Sequence, residues 1–81
     1  MEFSRAISYR LNELMREKRI TAYKLSALSA VPTSTVSNIL LCKGRSCTAN
    51  TLLNLCRGFG ITLEKLFDSE VFSLENIDDN E

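Results

Sequence analysis

Apolar residues recur along most of this chain at helical intervals, not alternating ones. Ile7, Leu11 and Leu14 fall at i, i+4 and i+7, which lines up one face of an α-helix. Ser4 ahead of them is an N-cap type, so the pattern predicts a first helix over residues 4–18. Thr21 predicts a second cap, followed by a helix over residues 22–28 with Leu25 and Leu28 on one face. Ser29-Ala30-Val31 is a very short connection. Pro32 marks the start of a third helix, because proline suits the first turn and little else in a helix. That helix spans residues 33–41, with Val36, Ile39 and Leu40 apolar. Lys43-Gly44-Arg45-Ser46 is the longest loop. Thr48 predicts the cap of a fourth helix in which Leu52, Leu55, Cys56 and Phe59 keep helical spacing, and Gly60 ends it. Thr62 predicts the cap of a short fifth helix through Phe67. Only Val71-Phe72-Ser73-Leu74 has some strand character. The expectation is an all-α fold, a compact five-helix orthogonal bundle, since short connections disfavour long antiparallel hairpins.

Composition narrows the function classes. With 81 residues, 44% of them hydrophobic, the chain suits one small globular domain of limited core and modest stability. It contains no histidine, which removes histidine-based acid–base catalysis and His-ligated metal sites. No cofactor or metal is expected. No apolar run approaches the roughly 18–20 residues needed to cross a bilayer, and the first residues lack the basic region and apolar run of a secretory signal. Cys42, Cys47 and Cys56 form no CxxC pair. Three thiols without a leader predict a reducing, cytoplasmic setting. Cys56 falls at an apolar helix position and is expected in the core, while Cys42 and Cys47 flank the basic loop.

The formal net charge is zero, but it is an average over two unlike segments. Residues 1–67 hold all ten basic residues and four acids, 10 − 4 = +6; residues 68–81 hold six acids and no base, −6. Between Lys18 and Leu63 there is no acid at all. Such a stretch attracts polyanions, and an acid-only tail repels them. The expected organisation is a domain over residues 1–67 and an acidic C-terminal tail over residues 68–81. In that tail Phe67, Val71 and Leu74 fall at i, i+4 and i+7, so helix five can extend and present a dimer seam. Alternatively the tail packs on its own domain through Val71, Phe72 and Leu74, with disorder favoured from Asn76 onward.

Helices two and three carry the functional signal. Two short helices joined by a tight turn form a helix-turn-helix unit, whose second helix presents its first turns to base edges in the major groove. That use needs an apolar inward face, which Leu25, Val31, Val36 and Ile39 supply. It also needs a short polar outward face. At 100° per residue Thr33, Ser34, Ser37 and Asn38 cluster on the side opposite Val36 and Ile39. The same four residues also suit an ordinary solvated helix face, and Tyr23 can equally pack its ring on helix one.

The segment Thr21-Ala22-Tyr23-Lys24-Leu25-Ser26-Ala27-Leu28-Ser29-Ala30-Val31-Pro32-Thr33-Ser34-Thr35-Val36-Ser37-Asn38-Ile39-Leu40 resembles the phage Cro/repressor-type (XRE-like) helix-turn-helix family. Residues 51–67, with Leu52, Leu55, Phe59-Gly60-Ile61-Thr62 and Leu66, are similar to that family's fourth and fifth helices. The similarity covers roughly residues 5–67. It implies a lambda-repressor-like DNA-binding domain, found in transcriptional regulators that bind operators as dimers. By resemblance, Thr33, Ser34, Ser37 and Asn38 match base-reading positions, and Asn38 can pair bidentately with adenine. Thr21, Tyr23 and Lys24 at the start of helix two, with Lys43 and Arg45 in the following loop, match backbone-contact positions. Three positions depart from the family's frequent residues: Ala22 replaces glutamine, and Ala30 and Arg19 replace glycine. Alanine at position 30 costs about 1 kcal/mol if that turn is left-handed.

The leading expectation is a sequence-specific, repressor-like transcriptional regulator that reads the major groove of double-stranded DNA with the helix starting near Thr33. It is expected to act as a homodimer, with no membrane or small-molecule ligand. The alternative is an antitoxin-like or anti-repressor protein-interaction module on the same fold, a reading favoured by Ala22, Ala30 and the neutral overall charge. An enzyme is not expected: the carboxylates are peripheral and no cysteine has a partner base.

Overall fold

The computed structural model describes residues 2–43 and 47–77. Five α-helices follow in order: α1 (Phe3–Lys18), α2 (Ala22–Ser29), α3 (Thr33–Leu40), α4 (Ala49–Phe59) and α5 (Leu63–Leu66), with a 3-10 turn at Glu70–Phe72. There is no strand among the described residues, and Val71 and Phe72 sit in the 3-10 turn. No described helix is long and apolar enough to cross a membrane.

Four of the five helices start as the sequence predicts, α3 beginning at Thr33 directly after Pro32. The hydroxyls of Thr21, Thr48 and Thr62 each accept from the backbone N–H three residues on, all at 3.1 Å, satisfying one orphan donor of the first turn. α1 differs. Its N-cap is Glu2, with no side-chain capping bond, and Ser4 lies inside the first turn. Gly60 closes α4 in the left-handed conformation, φ 75°.

The core joins Ile7, Leu11 and Leu14 of α1, Leu25, Val31 and Val36 of the α2–α3 unit, Leu52, Leu55, Cys56 and Phe59 of α4, and Leu66 of α5. Leu28 departs from expectation: it is 49% exposed while Leu25 is fully buried. Positions three apart subtend some 300° on a helix, and α4 covers only the Leu25 side. That contact is close. A Cβ on Gly58 of α4 would lie 2.9 Å from the Ser29 Cβ and 3.2 Å from Leu25 Cδ1, so only glycine lets α4 sit this near α2. α1 holds α3 differently. Ser8 Oγ and Asn12 Nδ2 donate to the Leu40 carbonyl at 2.6 and 3.1 Å, pairing an oxygen that the end of α3 leaves without a helical partner.

On the opposite face of α1 Arg10 is buried, 5% exposed. Its Nε and Nη2 donate to the carbonyls of Leu66 and Lys65 at 2.7 and 2.8 Å, and Nη1 donates to Glu13 Oε1 at 2.6 Å. A cation on the last carbonyls of α5 satisfies orphan acceptors and complements the negative end of the helix. Arg10 is thus a structural clamp. It leaves the outward-facing cations, although its pairing with Glu13 keeps the segment charge at +6.

α5 does not extend into the tail. It ends at Leu66 with Phe67 as C-cap. Ser69 then caps the 3-10 turn by accepting from the Val71 N–H at 3.4 Å. Phe72 packs edge-on to Phe67, with ring centroids 4.9 Å apart, and tilted against Phe3 at 6.1 Å. Val71 is half-buried, whereas Leu74 is 91% exposed, so the packing runs through Val71 and Phe72 and not through Leu74.

Candidate nucleic-acid interface

The turn between α2 and α3 is left-handed and built without glycine. Ala30 has φ 62° and ψ 19°, a conformation costing an L-residue roughly 1–2 kcal/mol. Side chains on either side hold it. The Ala30 N–H donates to the Ser26 carbonyl at 2.9 Å. Ser26 Oγ donates to the Val31 carbonyl at 2.5 Å, and the Val31 N–H donates to Ser29 Oγ at 3.2 Å. Both polar groups of Val31 are satisfied while its side chain enters the core. The other glycine-type position, Arg19, is also left-handed, with φ 54°.

This turn projects α3 outward. Val36 is its single fully buried residue. Thr33, Ser34 and Asn38 are exposed, and Ser37 is half-buried. Four of the expected contact residues on neighbouring elements, Thr21, Tyr23, Lys24 and Lys43, are exposed as well. The Tyr23 ring is 77% exposed, so it does not pack on α1. The Thr21 oxygen already accepts from the Lys24 N–H, which leaves its hydroxyl proton to donate outward. Arg45 lies outside the described residues.

Past α3 the chain doubles back. Cys42 is left-handed, φ 56°, and the Lys43 N–H donates to the Asn38 carbonyl at 2.8 Å. This return brings Asn38 and Lys43 to one cleft of about 280 Å³, which Ser4 and Ile7 of α1 and Thr48 and Thr51 of α4 also line. Thr33 and Ser34 stand at the other end of α3, some 7 Å from Asn38 along the helix axis, and do not reach this cleft. Sequence reasoning missed Ser4, Thr48 and Thr51 as its walls. Their spacing marks them only as cap-type residues, and their meeting depends on how α1 and α4 dock.

Cys47 and Cys56 add no nucleophile to this surface. Cys56 is core, and Cys47 also lines the cleft. Burial pushes both thiols above their ordinary range, which holds them protonated and poorly nucleophilic at neutral pH. No cluster of three or more metal-ligating side chains occurs among the described residues. What α2, α3 and the loop after them present is short hydroxyls, one carboxamide, an aromatic ring and cations, with no acid on either helix.

No curated protein and no solved structure matches the chain. The sequence model of one family, described as the Cro/C1-type HTH DNA-binding domain, matches residues 10–70, taking in most of α1 and all of α2 to α5. With the helix-turn-helix geometry above, that match decides the matter: the chain belongs to the Cro/C1-type HTH DNA-binding domain family.

Proposed function

We propose that this protein is a sequence-specific transcriptional regulator of the repressor kind, acting in the cytoplasm as a homodimer on double-stranded DNA. α3 enters the major groove. Thr33, Ser34, Ser37 and Asn38 read base edges, with Asn38 supplying the most selective contact through its paired donor and acceptor. Thr21, Tyr23, Lys24, Lys43 and Arg45 hold the phosphate backbone and fix the register. The mechanism is occlusion or recruitment at a promoter and involves no covalent chemistry. Dimerisation follows from affinity, because one short reading helix covers a single half-site.

The observation that carries this reading is the division within α3. Val36 is buried at 1% exposure, while Thr33, Ser34 and Asn38 stand in solvent. One apolar anchor with a short polar outer surface lets a helix approach base edges without long side chains in the way. Phosphate contacts make binding salt-dependent, with a log–log slope near −0.9 per neutralised phosphate. The test is selection of bound duplexes from a random pool, followed by salt titration. Paired half-sites about one helical turn apart are expected, and Lys43→Gln should flatten the slope by about 0.9 on every sequence. Recovery of unrelated sequences with no common half-site would refute the sequence-reading role.

A further inference from the structure

We propose that the aromatic surface of Phe3, Phe67 and Phe72, with Leu74 in the turn that follows, docks a cationic amphipathic segment of another protein, one that sets apolar anchors between lysines or arginines. The docking stands apart from the DNA-binding reading above; only its consequence on DNA rests on that reading.

The surface is continuous and fixed. Phe72 sits between the other two rings, with centroids 4.9 Å from Phe67 and 6.1 Å from Phe3. Phe3 and Phe67 are each 37% exposed. Leu74, two residues past Phe72, is 91% exposed. A loose segment would tuck such a side chain away, but this one is held in a closed turn. The Asn76 and Ile77 N–H groups donate to the Ser73 carbonyl at 2.9 and 3.2 Å, and Asn76 Nδ2 donates back to the Glu70 carbonyl at 2.8 Å. An ordered apolar patch with a polar rim marks a contact surface.

The rim selects the partner. Glu2 precedes Phe3, Glu70 opens the 3-10 turn and Glu75 follows Leu74, and all three are exposed. The bases nearest in sequence point elsewhere. Arg5 lies some 200° around α1 from Phe3. Lys65 lies about 160° around α5 from Phe67, where it shares a shallow pocket with Glu64 and Asp68. A second copy of this chain fits poorly, because an isologous contact sets the three rim acids against themselves. Lysines or arginines flanking an aliphatic or aromatic anchor satisfy the rings and the rim together.

The surface also lies clear of the reading helix. Ser8 and Asn12 hold the end of α3, and Asn12 lies some 180° around α1 from Phe3. Duplex phosphates repel the acidic rim besides. A partner docked here leaves Thr33, Ser34 and Asn38 open, so the protein on DNA can hold a second protein beside it.

The test is selection from a random short-peptide library on the full chain, with enriched peptides remade synthetically and titrated by calorimetry. Peptides that join lysine or arginine to aliphatic or aromatic residues are expected. Leu74→Ser should weaken them about tenfold at any salt, since apolar burial is not screened. Glu70→Gln with Glu75→Gln should weaken them about threefold to tenfold at low salt and leave them unchanged near about 0.5 M. All three side chains are exposed, so both variants should melt with the parent. Amide shifts on binding should centre on Phe3, Phe67 and Phe72. Enriched peptides without basic residues, or binding indifferent to both variants, overturn the proposal. Shifts confined to residues 78–81 overturn it as well, by assigning the binding to tail charge alone. A peptide-free dimer that Leu74→Ser dissociates gives the surface to a second copy and overturns the chosen partner. The DNA selection described above tests the regulator reading separately, and its failure leaves each of these outcomes intact.

Discussion

Two regions of this small domain use their polar groups in opposite ways. At the α5 end, Arg10 turns inward and spends three of its donors on Leu66, Lys65 and Glu13. Among the buried side chains described, no polar atom lacks a hydrogen-bond partner. At the α2–α3 end, Thr33, Ser34, Asn38 and Lys43 face outward, held in place by Val36 below and by serine clamps at the turn. The first arrangement consumes hydrogen-bonding capacity to fix a helix. The second keeps that capacity unspent, and a surface that must bind something else needs it so. A charged residue is therefore no guide to function until its direction is known: Arg10 and Lys43 carry the same charge, and one of them is masonry.

That contrast predicts that stability and recognition separate by position. The largest effect belongs to Arg10→Leu. It removes two charge-assisted hydrogen bonds to the α5 carbonyls, worth about 1.5–3 kcal/mol each, while Glu13, one-third exposed, is left to water. The melting temperature should fall by at least about 12 °C, with base preference of the remaining folded protein unchanged. A melting point within a few degrees of the parent would place Arg10 outside the stabilising network.

Asn38→Ala comes next and acts in the other region. It should cost about 1–3 kcal/mol of discrimination at a single base pair, measured as the ratio of affinities for the selected site and its one-base variant. Thermal stability should stay put, since the exposed carboxamide carries no fold. Equal losses on specific and random DNA would strip Asn38 of its base-reading role.

The smallest effect is a gain. Ala30→Gly relieves the left-handed strain at the turn, and denaturant titration should show about 0.5–1 kcal/mol of added stability. Operator affinity should not change, because Ser26 and Ser29 still grip Val31. Loss of stability would mean that the serine clamps had already removed the strain, leaving only glycine's extra backbone freedom in the unfolded chain.

Much of the helical framework was legible from residue types. Thr21, Thr48, Thr62 and Gly60 act through local geometry, so their neighbours in sequence are their neighbours in space. The stripe of Ile7, Leu11 and Leu14 was legible for the same reason. Leu28 was not: its spacing from Leu25 puts it at the margin of the apolar face, and the reach of α4 decides which side of that margin is covered. Arg10 did leave a mark, since it falls inside the stripe, three residues after Ile7 and four before Leu14. A cation placed there signals an internal partner, although its carbonyl partners, Leu66 and Lys65, lie more than fifty positions away. The outward face of α3 followed from helical angles, and the cleft shared by Asn38 and Lys43 did not.

By itself, then, the sequence determined the five helices, the caps of α2, α4 and α5, the charge division between the domain and its tail, and the family. Those depend on local sterics, on period and on composition, which are fixed before the chain folds. Only the tertiary structure decided that Arg10 is spent inside, that Ala30 adopts the conformation usually left to glycine, that α5 stops while Phe72 turns back onto Phe3, and that α1 and α4 wall a cleft beside Lys43. Apart from Ala30, whose serine clamps are local, these depend on contacts between residues distant along the chain, and such contacts exist only once the helices have docked.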